Sequence, residues 1–372
     1  MAVISDEQLA RIWLQCAPMG AWNRLAALRE QWGGALEVWK HFTPEVYSLL
    51  GPENFSLLAD SRAVRCGPAL RQLEALNAEP LFLGSPGYPA PLAAIANPPD
   101  VLFAMGQLPS LKRAVAIVGS RRATRYGLSQ ARRIARDLAA QGVTIISGLA
   151  RGIDAAAHLG ALDAHGRTVA VLGSGLGNVY PPENQDLARR IVLEGGALVS
   201  ELAPDAPPFP YHFPVRNRII SGLSSAVLLI EAQLKSGTHA TIDYALDQGR
   251  DVFALPGNVD APGSELPLKL LKEGAGLCAC AGDILTLMNW QDQPPEQASF
   301  LQDTPPSPAL PPDASSPDAQ ILRALAMEEK TLEELIAETG MSAGELGTQL
   351  TLLEISGKIE RRAGRAYALV RN

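Results

Sequence analysis

Short apolar runs that end in glycine-rich turns and alternate with helical patterns constrain the fold of this chain more than any other feature. The first run, residues 114–118, is rich in β-branched side chains and ends at Gly119-Ser120-Arg121. Two further runs, residues 143–147 and 168–172, also end in turns rich in glycine. Continuous apolar runs separated by helices are typical of a parallel sheet that is buried on both faces. The sequence therefore predicts an α/β fold built on a parallel sheet.

The turn at residues 119–121 is suited to an anion. Its glycine lets backbone N–H groups approach a bound group closely, and the helix predicted at residues 126–140 directs its partly positive N-terminus to the same place. A phosphate is the natural ligand, although the turn also fits an ordinary strand-to-helix connection with a solvated Arg121. Because the carboxyl ends of parallel strands meet at one edge of a sheet, the glycine-rich turns can converge on one ligand.

The composition indicates that the protein could bind nucleic acid only through a local basic surface. The 372 residues are 47% hydrophobic, which suffices for a large core, and the net charge of -7 argues against a globally basic nucleic-acid binder. Residues 112–136, however, contain eight lysines and arginines and no acidic residue. Within this stretch, Arg132 and Arg136 lie one helical turn apart and are interpreted as a solvated helix face.

The cysteines and the amino terminus indicate the compartment. The spacing of Cys16, Cys66, Cys278 and Cys280 provides no closed zinc site, so we expect reduced thiols and no metal. The glycines at residues 173, 175 and 177 do not have the Gly-x-Gly-x-x-Gly spacing of a dinucleotide site, so we expect no cofactor. The first residues are acidic and lack the features of a signal peptide, and no apolar run reaches the length of a membrane span. We expect a cytoplasmic protein with no membrane partner.

Composition and periodicity divide the chain into four predicted segments. Residues 1–78 predict a small helical, SAM-like domain with Ser5 as the first N-cap, and residues 79–290 predict the α/β domain. Residues 291–317, rich in proline and serine, predict a disordered linker. Residues 318–372 predict a winged helix of three helices and a hairpin. Its third helix carries Glu345 and Glu354, which favours a protein-contact or accessory role, while the basic wing could touch phosphates.

An ordered set of motifs resembles the DprA (Smf) family of DNA-processing proteins of bacterial natural transformation. The set comprises the Gly-Ser-Arg turn, Ser-Gly-Leu-Ala-Arg-Gly-Ile-Asp at residues 147–154, Tyr-Pro-Pro-Glu-Asn at 180–184, Phe-Pro-Val-Arg-Asn-Arg-Ile-Ile-Ser-Gly at 213–222, Ser-Gly-Thr at 236–238 and Phe-Ala-Leu-Pro-Gly at 253–257. The likeness covers roughly residues 80–281. Two departures concern the rim of the site: Pro182 stands where some relatives have a lysine, and Ser264-Glu265-Leu266-Pro267 replaces a Ser-x-Gly stretch.

The resemblance implies an extended Rossmann-like domain that binds single-stranded DNA. It also implies a homodimer that protects incoming strands and helps to load the RecA recombinase onto them. By the same resemblance, Gly119, Ser120 and Arg121 form the phosphate-binding loop, and the residues expected around the DNA site are Gly148, Arg151, Gly173, Ser174, Gly175, Phe213, Arg216, Asn217, Arg218, Ser236, Gly237 and Thr238.

The main alternative is an enzyme. The sheet and its Ser-Gly-Thr turn also resemble the lysine-decarboxylase-like nucleoside-phosphate hydrolases, but the double glycine and the downstream glutamate of their motif are missing. Asp154 and His158 lie four residues apart on a predicted helix and could share a face. No nucleophile accompanies them, so Asp154 is interpreted as a helix cap and His158 as a packed or pocket-lining residue. We expect no catalytic activity.

Overall fold

In a computed structural model of the chain, the described residues are 4–291, 321, 324–325, 330–339, 341–342, 346–347, 349–350, 353–354, 359–361 and 366–369. The chain divides into two compact units, Met1–Gln297 and Ala298–Asn372. The predicted linker at residues 291–317 lies outside the described residues, apart from Gln291. Across the described residues, no helix combines the length and the apolar composition that crossing a bilayer requires.

The first unit contains a nine-stranded sheet with helices before it and on its faces. Its α-helices are α1 (Asp6–Gln15), α2 (Trp22–Trp32), α3 (Ala35–Lys40), α4 (Tyr47–Leu50), α5 (Pro52–Ala63), α6 (Gly67–Ala75), α7 (Ala90–Ala93), α8 (Arg125–Ala140), α9 (Ile153–Asp163), α10 (Gln185–Leu193), α11 (His212–Gly222), α12 (His239–Asp247), α13 (Glu265–Lys272) and α14 (Ala281–Leu287). Its strands are β1 (Ala78–Phe82), β2 (Val101–Gly106), β3 (Ala114–Val118), β4 (Thr144–Ser147), β5 (Thr168–Val171), β6 (Ala197–Ser200), β7 (Ala226–Leu229), β8 (Asp251–Ala254) and β9 (Gly276–Leu277).

The strand order is β1-β2-β6-β5-β4-β3-β7-β8-β9. The strands from β6 to β9 pair in parallel, whereas β2 pairs antiparallel with β6 and β1 pairs antiparallel with β2. The predicted α/β fold with an extended parallel sheet is thus confirmed, with two antiparallel strands, β1 and β2, added on the side of β6. Every residue of β3 is buried, as its unbroken apolar sequence predicts.

Local signals set the ends of the helices that matter for the site. Helix α8 begins after Thr124, whose side-chain oxygen accepts a hydrogen bond from the backbone N–H of Gly127. The predicted helix at residues 126–140 therefore starts one residue earlier, at Arg125. At the amino terminus, Ser5 caps α1 and forms a reciprocal capping box with Gln8, as predicted.

Alternate residues of the strands face two different apolar cores. On one face, β3 contributes Val115 and Ile117 to a core shared with α8, α9 and α14. On the other face, Ala116 and Val118 pack with α11, α12 and α13. The period of two along a strand explains this division. Helices on both faces bury the sheet and leave its carboxyl edge for the turns.

The helices before the sheet share a third core with the strands and with α10. Polar contacts reinforce this packing: Arg11 forms an ion pair with Asp100 at 2.7 Å, and Gln15 donates a hydrogen bond to the Glu201 carbonyl at 2.9 Å. The predicted boundary near residue 78 therefore falls inside one compact unit. Trp13 is fully buried, and its indole packs edge-on against Trp39, as expected for tryptophans that form a helical core.

In the second unit, the described residues include the helix Leu332–Thr339 and a three-stranded antiparallel sheet. Its strands are β10 (Lys330–Thr331), β11 (Ile359–Arg361) and β12 (Ala366–Leu369), with β12 in the middle. Leu335, Leu346 and Leu350 are buried in its core. A helix layer against a small antiparallel sheet agrees with the predicted winged helix.

Candidate functional site

The candidate site lies where the order of the parallel strands reverses. From β3, the chain adds β4, β5 and β6 on one side and then returns to add β7 and β8 on the other. In open α/β sheets, ligands bind in the crevice outside the carboxyl ends of the strands at such a point. The turn after β3 and the segment after β7 meet there, because the Ser120 N–H donates to the Glu231 carbonyl at 2.7 Å. Strand order, which the sequence did not reveal, thus selects this place.

A pocket of about 760 Å³ opens at this point. Five segments of the chain contribute its walls: the turns after β3, β4 and β5, the region before and within α11, and the segment between β7 and α12. The residues predicted from the sequence that line it are Gly119, Ser120, Arg121, Phe213, Arg216, Asn217, Ser236, Gly237 and Thr238. The structure therefore brings together residues that lie up to 119 positions apart, since Thr238 Oγ1 donates to the Gly119 carbonyl at 3.4 Å.

Gly119 is needed because two elements approach its backbone closely. A Cβ at this position would lie 2.8 Å from the Ile153 side chain and 2.9 Å from the Glu231 carbonyl oxygen. Any larger residue would push α9 and the end of β7 away from the turn. The close approach keeps Ser120 and Arg121 at the mouth of the pocket.

Arg121 carries an available positive charge. Its side chain is exposed and makes no ion pair or side-chain hydrogen bond within the described part of the chain. Its guanidinium lies 5.3 Å from the centre of the Phe213 ring, which is within cation–π distance. The Phe213 ring in turn lies 5.8 Å from the partly exposed ring of Tyr180. A cation and two aromatic rings therefore share one edge of the pocket.

Arg216 also lines the pocket, but it is a buried residue with structural bonds. Its Nη1 donates to the Gly148 carbonyl at 2.9 Å and to the Val171 carbonyl. Burial, followed by the positive charge of Arg121, lowers the Arg216 pKa to about 10, while nearby Asp154 raises it. The guanidinium is still charged at neutral pH, and its contacts hold the ends of β4 and β5 together.

Gly148 makes this buried arrangement possible. A Cβ there would lie 2.6 Å from Arg216 Nη2 and 2.8 Å from Asp154 Oδ2. Asp154 Oδ2 accepts hydrogen bonds from the backbone N–H groups of Gly148 and Ala150, at 3.1 and 3.3 Å. Burial raises the pKa of Asp154, and Arg216 opposes that rise. Asp154 therefore closes the turn before α9 and does not cap the helix, because Gly152 is the N-cap and no side chain bonds to the first turn.

His158 and Glu231 are also occupied by structural roles. The buried His158 ring has Nδ1 2.7 Å from Thr168 Oγ1, and burial lowers its pKa to about 3. Glu231 accepts hydrogen bonds from the Thr124 N–H at 2.8 Å and from the Thr124 hydroxyl at 2.5 Å, at the start of α8. Glu231 thus stabilises the turn that leads into α8.

Several residues predicted for the site do not line this pocket. Arg218 points to a different partner, with its guanidinium bonded to Glu201 and to the Asn97 carbonyl at 3.0 Å. Arg151 forms an exposed ion pair with Glu183, and it lines a small adjacent cavity together with Arg121 and Phe213. Ser174 and Gly175 shape the turn after β5: the Ser174 hydroxyl donates to the Asn178 carbonyl at 2.6 Å. Gly173 leaves room for the Phe213 ring, because a Cβ at this position would lie 2.6 Å from that ring.

Sequence reasoning missed some of the lining residues. Arg122, Gln233 and the prolines Pro208 and Pro210 also line the pocket. Arg122 lies in the basic stretch at residues 112–136, and the prolines belong to the proline-rich segment immediately before α11. Its sequence, Pro-Pro-Phe-Pro-Tyr at residues 207–211, is the signal that could have identified an exposed aromatic loop.

Comparison with known proteins agrees with this geometry. The family model of DNA recombination-mediator protein A matches residues 79–289, and the model of the DprA winged helix domain matches residues 305–365. Protein Smf of Escherichia coli strain K12 is 42% identical over 277 residues, which are 73% of this chain and 72% of the relative. The DNA processing protein DprA of Bacillus subtilis is 41% identical over 204 residues, which are 54% of this chain and 68% of the relative.

The solved structures that resemble the chain include two DNA processing proteins. DNA processing protein A from Streptococcus pneumoniae has 31% sequence identity and a TM-score of 0.61, and the match covers 76% of this chain and 98% of that protein. DNA processing protein A from Helicobacter pylori, whose structure describes its single-stranded DNA binding mode, has 28% identity and a TM-score of 0.52 over 57% of this chain and 95% of that protein. On its fold, its motifs and these matches, the chain belongs to the DNA recombination-mediator protein A family, the DprA family.

Proposed function

We propose that this protein binds single-stranded DNA in natural transformation, protects the incoming strand and helps to load RecA onto it. One observation carries the binding part of the proposal: the unpaired Arg121 lies against Phe213 at the mouth of the pocket. A single strand offers phosphates for the cation and unstacked bases for the ring, whereas a duplex keeps its bases stacked inside. The relative from Helicobacter pylori, described for its single-stranded DNA binding mode, supports this choice.

The electrostatics favour a local interaction with few phosphates. With a net charge of -7, the chain as a whole repels DNA, so attraction depends on the arginines at the turn. Arg121 and Arg122 both line the pocket and are exposed. We therefore propose a groove in which these two side chains hold the backbone while neighbouring rings hold bases.

We further propose that the protein is not an enzyme. The carboxylates that a nucleoside-phosphate hydrolase would use are held by backbone and cap contacts: Asp154 by two N–H groups and Glu231 by Thr124. A carboxylate with these bonds is poorly placed to attack or to activate water. Release of free base from nucleoside monophosphates at enzyme-like rates, lost in Asp154→Asn or Glu231→Gln, would reverse this view.

Membership of the family supports the remaining parts of the proposal: a homodimer, a cytoplasmic location and an action on RecA. These can be tested separately from DNA binding. We expect the protein to accelerate RecA filament formation on single strands coated with single-strand-binding protein. If RecA loads equally well with and without it, under conditions where it binds the DNA, only the binding part of the proposal stands.

The decisive experiment for binding is a titration of the purified full chain with labelled single-stranded and double-stranded oligonucleotides of one length, at several salt concentrations. We expect tighter binding of the single strand, with an affinity that falls as salt rises. Equal affinity for the two forms, or a preference for the duplex, would contradict the proposal.

A further inference from the structure

Two aromatic rings beside the pocket are exposed and stacked on each other. Phe209 is 45% exposed and Tyr211 is 54% exposed. Their ring centres lie 5.5 Å apart, and the ring planes differ by 14°. An exposed pair of this kind presents a flat apolar surface to solvent, which is the surface that stacks with planar ligands.

A buried side chain and a proline-rich backbone hold the pair in place. His212, which is buried, packs edge-on against both rings, with centroid distances of 5.5 Å to Phe209 and 4.6 Å to Tyr211. Three prolines, Pro207, Pro208 and Pro210, restrict the backbone of the same segment. The rings therefore lose little conformational freedom when a ligand binds, which favours binding.

The exposed rings are continuous with the pocket. Pro208 and Pro210, the neighbours of Phe209 in sequence, line the same pocket as Arg121. Phe213 follows Phe209 by four residues, so at most about 14 Å separates their Cα atoms. A strand with a phosphate at Arg121 and a base at Phe213 can therefore reach the second pair of rings with a neighbouring nucleotide.

Two other exposed tyrosines, Tyr47 and Tyr126, lack this arrangement. The Tyr126 hydroxyl donates a hydrogen bond to the Pro256 carbonyl, and the Tyr47 ring packs edge-on against Phe55 in the helical region before the sheet. Neither of these side chains lines the pocket. Tyr47, which is 47% exposed, is thus a matched control for an exposed aromatic ring away from the site.

We propose that Phe209 and Tyr211 form a second base-stacking platform, which receives an unpaired nucleobase of the strand bound at Arg121 and Phe213. The inference rests on the proposed binding of single-stranded DNA and extends it by naming where a further base lies. Stacking needs no hydrogen-bond pattern, so this platform accepts any base.

The test compares the affinity of full-length variants for two oligonucleotides of equal length: oligothymidylate, and an abasic strand with the same phosphates. We expect Phe209→Ala and Tyr211→Ala each to weaken oligothymidylate binding at least about fivefold, the effect of one lost stacked base. Binding of the abasic strand, and the salt dependence of oligothymidylate binding, should not change. Phe209→Trp should retain wild-type affinity, and Tyr47→Ala should have no effect.

The outcomes separate this inference from the proposed function. If wild-type protein binds neither oligonucleotide, the proposed function fails. If wild type binds oligothymidylate and the two alanine variants bind it equally well, or lose both oligonucleotides to the same extent, the stacking platform is overturned. A lower mass of the DNA-free variants by light scattering would assign the rings to a protein interface and would also overturn it.

Discussion

Two arginine-rich regions that are neighbours in sequence use their charge differently. In the turn after β3, Arg121 and Arg122 are exposed and have no ion-pair partner among the described residues. On the outer face of α8, Arg132 pairs with Asp163 at 2.5 Å and Arg136 pairs with Asp137 at 2.8 Å. Acidic residues neutralise the helix face, whereas the turn leaves its charge for a ligand. A basic stretch in a sequence therefore does not by itself mark a binding surface.

Arg216 represents a third use of the same side chain, on the buried side of the turn. Its guanidinium donates hydrogen bonds to the carbonyl groups of Gly148 and Val171 and lies near the charge of Asp154. The residue is buried, so it exposes little surface to a ligand. The three settings predict three kinds of mutational effect: loss of stability for the buried arginine, loss of DNA binding for the free one and almost no change for the paired one.

The largest effect is expected for Arg216→Ala. Removal of this guanidinium leaves the buried Asp154 without its compensating charge and two carbonyl groups without their donor, and such losses cost about 3 to 5 kcal/mol of stability. Denaturant unfolding followed by circular dichroism measures this change. A variant with wild-type stability but much weaker DNA binding would move Arg216 from the structural group to the binding group.

The buried His158 should make stability depend on pH in the same region. Its pKa is about 3 in the fold against 6.5 in the unfolded chain, so below pH 6.5 the unfolded chain binds a proton that the folded chain does not. Stability contributed by this residue is complete above about pH 6.5 and falls by about 1.4 kcal/mol per pH unit towards the folded pKa.

The measurement for His158 is the unfolding free energy of wild type and His158→Gln between pH 7 and pH 4. The wild type should lose stability more steeply than the variant, because glutamine does not titrate. The raised pKa of Asp154 makes stability increase as the pH falls, which is opposite to the effect of His158. Because Asp154 is present in both proteins, its contribution cancels from the difference between them. Parallel pH profiles would show that the pKa of His158 is not lowered in the fold.

Local sequence signals predicted the elements, and only the fold revealed which side chains meet. The ends of β3, the cap of α1 and the glycine at the first turn follow from apolar runs, capping residues and backbone freedom, all within a few positions. The adjacency of β3 and β7, the pairing of Arg218 with Glu201 and the burial of Arg216 under Gly148 depend on contacts between distant segments. A motif that groups Arg216 and Arg218 cannot show that they face different partners.

For the free arginine, Arg121→Ala should weaken single-strand binding tenfold or more, about 1.4 kcal/mol, without loss of stability. The slope of log affinity against log salt should become shallower by about 0.7, the contribution of one phosphate on a single strand. Fluorescence anisotropy at three or more salt concentrations gives both numbers. A weaker affinity with an unchanged slope would mean that Arg121 positions the Phe213 ring and does not contact phosphate.

The smallest effect is expected for Arg132→Ala, the matched control from the paired region. The side chains of Arg132 and Asp163 are 54% and 30% exposed, and exposed ion pairs of this kind contribute only about 0.2 to 1 kcal/mol to stability. DNA affinity should stay within about twofold of wild type, because the charge that is removed was already balanced by Asp163.

Asp163→Ala sharpens the comparison, since it frees Arg132 and should strengthen binding at low salt. If Arg132→Ala instead weakens binding as much as Arg121→Ala in a folded protein, the strand passes along the outer face of α8, and the distinction between free and paired arginines no longer locates the site.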